Sequence, residues 1–457
     1  MPGPSLAALG TAFPGQSDIS VQLPQGDASS ATGLATLRVP ALLISFFALL
    51  CLPPLLLGLA GRDGLAWDAI SFHIPQINYF IAHPFALMSY EATATTLPFY
   101  HFTLAQCAGW LGLDHIDNAS RAIRLVHFAI SASGILAALI YIAARTRRID
   151  ALILGVPLVT SWHMLSGAIF FGTDGPGLSF SLIALLLLLT RRPTSSLHAA
   201  AFLAVAATRH MMLPYVIGAS LWAALTSHAF GRWLMTMAPA VLLLMLYFVA
   251  WGGLTPPGMV AGLNPSGLFV HSLLGQLAVV GVWGIGYGLL RWRSWQAMCI
   301  GRSQLRHALL GAGIALTIMW LAVPTGFAPK DGRFGSIAWS VAELFIVADH
   351  SIPILVMAII GAASIILCAA DCMEQGKAPL EMAGLAIFLC GLMLTYAAYQ
   401  RYSEPLCIAS FSIAVSRLQG RERFSPLAVW PLMLLSSAGL FRFWQAGLIQ
   451  ATLAGLP

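Results

Sequence analysis

Val39-Pro-Ala-Leu-Leu-Ile-Ser-Phe-Phe-Ala-Leu-Leu-Cys-Leu-Pro-Pro-Leu-Leu-Leu-Gly-Leu59 carries no charged side chain over its whole length. A helical run of about 20 residues crosses a hydrocarbon core of roughly 30 Å. Backbone polar groups in such a core must bond within their own segment, so the run predicts a membrane-spanning helix. Comparable apolar runs recur toward the C-terminal end, whereas the short alternating strands of a membrane barrel do not appear in the sequence. Of the 457 residues only 9% are charged, against the roughly 25% that cover the surface of a soluble domain. The expected fold class is an all-α polytopic membrane protein.

The formal net charge of +6 does not point to nucleic acid. The basic residues sit in short clusters between apolar runs: Arg145, Arg147 and Arg148; Arg191 and Arg192; Arg291 through Arg306; and Arg417, Arg421 and Arg423. Such clusters mark cytoplasmic loops. With all four inside, residues 61–119, 170–176, 252–268 and 324–351 and the turn at 401–404 fall outside. Crossings are expected near 120–143, 150–171, 177–190 and 382–400, and about 11–13 in all. The apolar stretch 97–113 reads as a helix dipping into the outer leaflet, because counting it as a crossing turns 145–148 outward. Residues 197–227 allow two short helices meeting near Arg209 and Pro214, or one long span with Arg209 at mid-depth. Residues 1–38, rich in Gly, Ser, Ala and Pro, read as a flexible cytoplasmic tail ahead of a transmembrane domain over 39–457. The seven cysteines lie mostly in or beside apolar runs and suggest neither a zinc site nor a disulfide.

Side chains able to do chemistry gather in the first outer segment, 61–119. It reads Trp67-Asp68-Ala-Ile-Ser-Phe-His73-Ile-Pro75-Gln76 and later Glu91-Ala-Thr-Ala-Thr95-Thr96-Leu-Pro98-Phe-Tyr100-His101. The segment is too apolar and aromatic for disorder, and is expected to pack as amphipathic helices on the membrane surface. Asp68 through Pro75 resembles a pattern of the polyprenyl-phosphate-sugar-dependent glycosyltransferases of the GT-C fold, an Asp, a short apolar stretch, then Tyr-His-Leu-Pro. Bacterial protein mannosyltransferases and aminoarabinose transferases belong to that group. The His-Ile-Pro-Gln and Thr-Thr-Leu-Pro pieces also resemble the dolichyl-phosphate-glucose-dependent α-1,2-glucosyltransferase, which has an acidic pair nearer the His where this chain has Asp68 alone. Phe171-Gly-Thr173-Asp174-Gly-Pro resembles the acidic second outer loop of the fold. Ala207-Thr208-Arg209-His210 and Gln400-Arg401-Tyr402-Ser403-Glu404-Pro405 resemble later pieces.

The resemblance implies a GT-C type bundle in a membrane such as the bacterial inner membrane, with its active site extracytoplasmic. It implies transfer of a hexose-type sugar from a polyprenyl phosphate to an acceptor hydroxyl on a glycan, lipid or protein, in one inverting step. Asp68 is then the general base, and a helix N-cap is the alternative reading. Asp174, the second catalytic candidate, orients the acceptor or His73, or caps a helix beginning at Pro176. His73, Gln76, Glu91, Thr96 and His101 are candidates for substrate contact, or ordinary polar residues of an interfacial loop. Arg209 and Arg401 suit the leaving phosphate, since a guanidinium stays charged and grips two oxygens. For Arg401 the alternative is a buried pair with Glu404, itself a candidate for substrate contact. Arg121 and Arg124 are expected to snorkel to the interface, and Lys330 and Arg333 to lie in a solvated turn, with closure over the lipid head group as the alternative. No cofactor and no essential metal are expected; the lipid-linked sugar is the donor substrate. A flippase of lipid-linked sugars would line a path with polar groups at mid-span, and an O-antigen-type polymerase or ligase would carry a large outer loop late in the chain. Acids at outer loop ends and a rich early loop favour the transferase.

Overall fold

The computed structural model describes residues 30–56, 67–87, 96–117, 120–190, 196–252, 267–325, 342, 344–394, 400–418 and 424–445. Glu91, Lys330 and Arg333 lie outside them, as does most of the expected N-terminal tail. Helix α1 is Ser30–Leu56, and a turn of π-helix, Ala69–His73, leads into α2, Ile74–Ala82. There follow α3 Phe99–Trp110, α4 Arg121–Ala143, α5 Arg148–Thr160, α6 Trp162–Ile169, α7 Asp174–Thr190, α8 Ser196–Arg209 and α9 Leu213–Thr226. The second half contains α10 Phe230–Trp251, α11 Val270–Leu290, α12 Trp292–Gly301, α13 Ser303–Ala322, α14 Ile352–Glu374, α15 Leu380–Gly391, α16 Gln400–Leu418 and α17 Pro426–Gln445. A two-residue hairpin, β1 Ile346–Val347 against β2 His350–Ser351, precedes α14.

Eight of these stretches are long and apolar enough to cross a membrane, and α5 with α6 makes a ninth that is bent by 55°. The chain is an integral membrane protein of the all-α polytopic class. Two shorter apolar helices, Asp174–Thr190 and Leu380–Leu394, occupy positions where the sequence suggests further crossings. Among the described residues the candidate crossings thus number eight or nine, fewer than the expected 11–13, because these two segments fold as helices shorter than a crossing needs. Helix α3 has 12 residues, about 18 Å, and is too short to span, in keeping with a stretch that stays at one face. Residues Ser196–Thr226 form one apolar stretch of 31 residues, but it is interrupted. Arg209 leaves the helical region at φ −146°, ψ 81°, and His210–Met212 form a 3-10 turn before Pro214 opens α9. Of the two readings of 197–227, the two short helices are the observed ones.

Helix α16 is the core of the bundle. Leu406, Cys407, Ile408, Ala409, Phe411, Ile413, Ala414 and Val415 are all fully buried, so the helix is enclosed on every side. Its serines bond across to neighbours: Ser410 to the Tyr215 hydroxyl of α9 at 2.9 Å, and Ser412 to the Tyr287 hydroxyl of α11 at 2.6 Å. Ser412 also donates to the Leu154 carbonyl of α5 at 2.9 Å. Between helices in lipid, close packing and such hydrogen bonds supply the association energy.

Helices α11 and α14 cross at glycines. A Cβ built on Gly281 would lie 2.0 Å from the Met357 carbonyl oxygen, and one on Gly361 would lie 2.1 Å from that of Leu277. Backbone atoms cannot step aside, so Gly361→Val is expected to destabilise by about 1–3 kcal/mol or more through overpacking. A lowered midpoint in detergent-induced unfolding is the expected readout; an unchanged midpoint would mean that the two helices do not meet at these residues.

The bundle has two polar ends. Along α16, Arg401 and Arg417 stand about 24 Å apart. At the Arg417 end, Arg417 meets Glu381 at 2.7 Å and Arg291 forks onto Asp371 at 2.9 and 3.1 Å. Arg302 pairs with Glu374 at 3.2 Å, and Arg145 lies over the Tyr141 ring at 3.6 Å. Members of three of the four basic clusters thus fold to one end, as the charge pattern predicts. The other end holds the first outer segment.

Candidate functional site

Asp68 immediately precedes the π-turn, and its side chain caps no backbone N–H there. The carboxylate turns instead to α16, where Arg401 Nη1 donates to its Oδ2 at 2.6 Å across 333 positions of sequence. Arg401 Nε lies 3.8 Å from Asp174 Oδ2, at the start of α7. Asp174 Oδ1 lies 3.0 Å from Arg209 Nε, and Arg209 Nη1 donates to the Thr173 hydroxyl at 3.3 Å. Two acids and two guanidiniums thus alternate in one row, Asp68–Arg401–Asp174–Arg209. The side chains of Asp68, Asp174 and Arg401 are about a fifth exposed and that of Arg209 less. Tyr402 sits between the cations, with Arg209 and Arg401 each 5.5 Å from its ring centre.

Local chain geometry explains the convergence. Ser161, extended between α5 and α6, bends that span, and the bend carries Phe170–Thr173 to the head of α7. Asp174 in the first turn of α7 is favoured there by the partial positive charge of the helix start. The break after Arg209 ends α8 beside α7. Gly177 allows the approach, because a Cβ there would come within 2.5 Å of Arg209 Cβ. A continuous helix through 196–226 would carry Arg209 on without that turn.

Two histidines from the first outer segment lie against the row. His73 Nδ1 and His101 Nε2 are 2.8 Å apart, and the rings stack at 5.1 Å. His101 Nδ1 is buried without a hydrogen bond, which is less costly for a bare nitrogen than for an N–H. His101 then donates from Nε2, and the remaining hydrogen of His73 is on Nε2. That nitrogen faces Gly172, 3.7 Å from where a Cβ would be. Burial first, then the guanidiniums of Arg209 and Arg401, lower the His73 pKa to about 3; burial also holds His101 well below its ordinary range. A second pair lies beneath. The Tyr100 hydroxyl is 2.5 Å from His127 Nδ1, and His127 Nε2 is 3.0 Å from the Gly167 carbonyl. A carbonyl only accepts, so Nε2 carries the hydrogen and Tyr100 donates to Nδ1.

The lowered His73 pKa has a signed consequence. Between about 3 and the unfolded value near 6.5 the unfolded chain binds the extra proton, so stability is lost as pH falls through that window. His73→Gln is expected to flatten part of the acid-side decline in unfolding temperature between pH 6.5 and 4. An unchanged decline would place its origin in other groups.

Of the residues singled out in the sequence, Asp68, Asp174, Arg209 and Arg401 converge, with His73 and His101 beside them. Gln76 and Thr96 are buried in the same outer segment, and Glu91 lies outside the described residues. Glu404 departs from expectation. Its carboxylate accepts from Ser161 Oγ at 2.5 Å and from the Gln400 amide, with His163 Nε2 at 3.9 Å, a set of partners separate from the row. The carboxylates meeting Arg401 are Asp68 and Asp174, which corrects the Arg401–Glu404 pair. Arg124 does not snorkel: it is fully buried, 5.7 Å from the Phe171 ring centre, whereas Arg121 is exposed. Tyr100, His127 and Tyr402 were not read as site residues. For Tyr402 its place between two arginines in space could have been suspected only from its neighbour Arg401. Among the described residues no three His, Cys, Asp or Glu side chains form a group able to hold a metal ion.

No protein-family model, curated protein or solved structure matches this chain.

Proposed function

We propose that the chain is a membrane glycosyltransferase of the GT-C type that takes a sugar from a polyprenyl-phosphate donor and gives it to an acceptor hydroxyl. The observation that carries the reading is the row Asp68–Arg401–Asp174–Arg209, assembled from four separate elements at one end of the bundle. Here Arg401 lies between two carboxylates, and Asp174 between two guanidiniums, beside two histidines whose ordinary charge is suppressed by burial. Described members of three of the four basic clusters lie at the opposite end, which by the positive-inside rule supports an extracytoplasmic row.

In this reading Asp68 accepts the proton of the acceptor hydroxyl as its oxygen attacks the anomeric carbon. A new carbon–oxygen bond forms on one face of the sugar. The bond to the phosphate oxygen breaks on the other, and its electron pair leaves with the polyprenyl phosphate. Arg401 and Arg209 balance the charge that grows on that phosphate, which is where fixed cations lower a barrier most. Asp174 holds both guanidiniums in place, and His73 Nε2–H offers a neutral donor beside them. A flippase is less well supported, because the described charged side chains gather at the two ends of the bundle while hydroxyl groups on α16 are satisfied by neighbours between them.

The test supplies purified protein with a panel of radiolabelled polyprenyl-phosphate sugars and candidate glycan, lipid and protein acceptors. Transfer from at least one donor, lost in Asp68→Asn, is the expected result. Movement of intact donor across vesicles without transfer would replace the reading with a flippase.

A further inference from the structure

A second site involves the first turn of α16 without including any residue of the row. A cavity of about 220 Å³ opens between α6, α11, α14, α16 and α17, and its polar wall is formed by His163, Gln400, Glu404 and Arg442. The rest of the lining is largely apolar and includes the indoles of Trp162 and Trp283. Glu404 is 3% exposed, and Ser161 and Gln400 hold its carboxylate in one orientation. Gln400 gives an amide hydrogen to Glu404, and its Oε1 is buried with no hydrogen bond among the described residues. An acceptor left unpaired in this way is costly unless an occupant donates to it.

The lining limits the occupant. An acyl chain would leave Glu404 and Gln400 Oε1 facing hydrocarbon. A phosphate would meet the Glu404 carboxylate. A sugar ring matches this mixed lining, because its hydroxyls donate to Glu404 and Gln400 and accept from His163 and Arg442, while its C–H groups pack against an indole. At about 220 Å³ the cavity falls below the roughly 300–1,000 Å³ of pockets for drug-sized ligands, which leaves room for a single ring. We propose that this cavity is a saccharide-binding site for one neutral sugar ring, separate from the Asp68–Arg401 row. The inference does not depend on the transferase reading, and binding can be followed without turnover.

The experiment uses the full chain in lipid nanodiscs prepared without glycoside detergents. Binding of radiolabelled octyl β-glucoside and of methyl β-glucoside is measured, with octanol as competitor. Saturable binding of octyl β-glucoside that octanol does not displace is expected; binding of methyl β-glucoside as well would identify a free sugar as a sufficient ligand, and its failure a lipid-borne one. Glu404→Gln is expected to weaken binding about tenfold, the scale of a hydrogen bond to a charged group. Trp283→Phe provides a second variant that keeps the carboxylate and is expected to weaken binding in the same direction. Asp68→Asn protein should bind as the native chain does, which separates this site from the catalytic row. Octanol displacing the glucoside, no saturable binding, or native affinity in both cavity variants would overturn the proposal.

Discussion

Asp68→Asn is expected to lower sugar transfer by about 10²–10⁴-fold with little change in donor KM, the span of rate loss usual for a missing general base. The amide has the same shape, and its oxygen can still accept from Arg401 Nη1, so the 2.6 Å contact and the fold should survive. What it loses is the ability to take a proton. The contact itself supplies the rival explanation, that Asp68 only holds Arg401 in place. The two explanations differ in kinetics. A positioning residue acts through Arg401, so its loss raises donor KM and matters little once Arg401 is also replaced. A base lowers kcat, and its loss remains visible in the Arg401→Lys background. A double-mutant cycle on kcat and KM separates them. A native turnover number in Asp68→Asn would remove Asp68 from the reaction.

Hydropathy and charge made the membrane helices legible because both are local properties. The 97–113 stretch was placed by charge alternation rather than by its own hydropathy, and the 12-residue helix Phe99–Trp110 agrees with that placement. The central position of Gln400–Leu418 was not legible. Its four buried serines lower its hydropathy, and they are tolerated because Ser403 donates to Gln276, Ser410 and Ser412 bond tyrosines and a carbonyl of other helices, and Ser416 donates to the Ile413 carbonyl of its own helix. The two readings of 197–227 depended on whether a basic residue sat at a helix break, and a propensity argument could not decide between them. Arg209 and Gly177 decide it together in space.

The candidate site was legible as a set of residue types but not as a set of pairs. Asp68 and Arg401 are 333 positions apart, and nothing in either neighbourhood names the other. Local spacing suggested Arg401 with Glu404, a plausible helical pair that the fold does not use, because Asp68 and Asp174 take the guanidinium while Ser161 and Gln400 take the carboxylate. The capping alternative for Asp68 was also a local argument. It gives way once a guanidinium lies within reach, since both groups of the Asp68–Arg401 bond are charged whereas a cap offers only a neutral N–H. Neutral groups beneath the row, Tyr100 and His127, carried no sequence signal because a buried tyrosine and a buried histidine are ordinary in a helical bundle.

Arg401→Met is expected to have the largest combined effect, on donor binding and on stability. Arg401 is the cation that meets both carboxylates of the row, at 2.6 Å to Asp68 and 3.8 Å to Asp174. Asp174 retains Arg209 at 3.0 Å, so the cost of removal falls on Asp68. Breaking a buried pair costs about 3–5 kcal/mol, and with a fifth of each side chain exposed the lower figure applies, about 3 kcal/mol. Adding Asp68→Asn should therefore recover most of the lost stability while recovering no donor binding. Arg401→Lys should keep the fold but lose the fork that spans two oxygens, and donor affinity should fall about tenfold or more. Equilibrium binding of a polyprenyl phosphate and detergent-induced unfolding, measured on the same three variants, resolve the two roles. If Arg401→Met binds polyprenyl phosphate as tightly as the native chain, the phosphate does not sit at this row. If Asp68→Asn fails to rescue its stability, the 2.6 Å pair does not set the energetics of this end of the bundle.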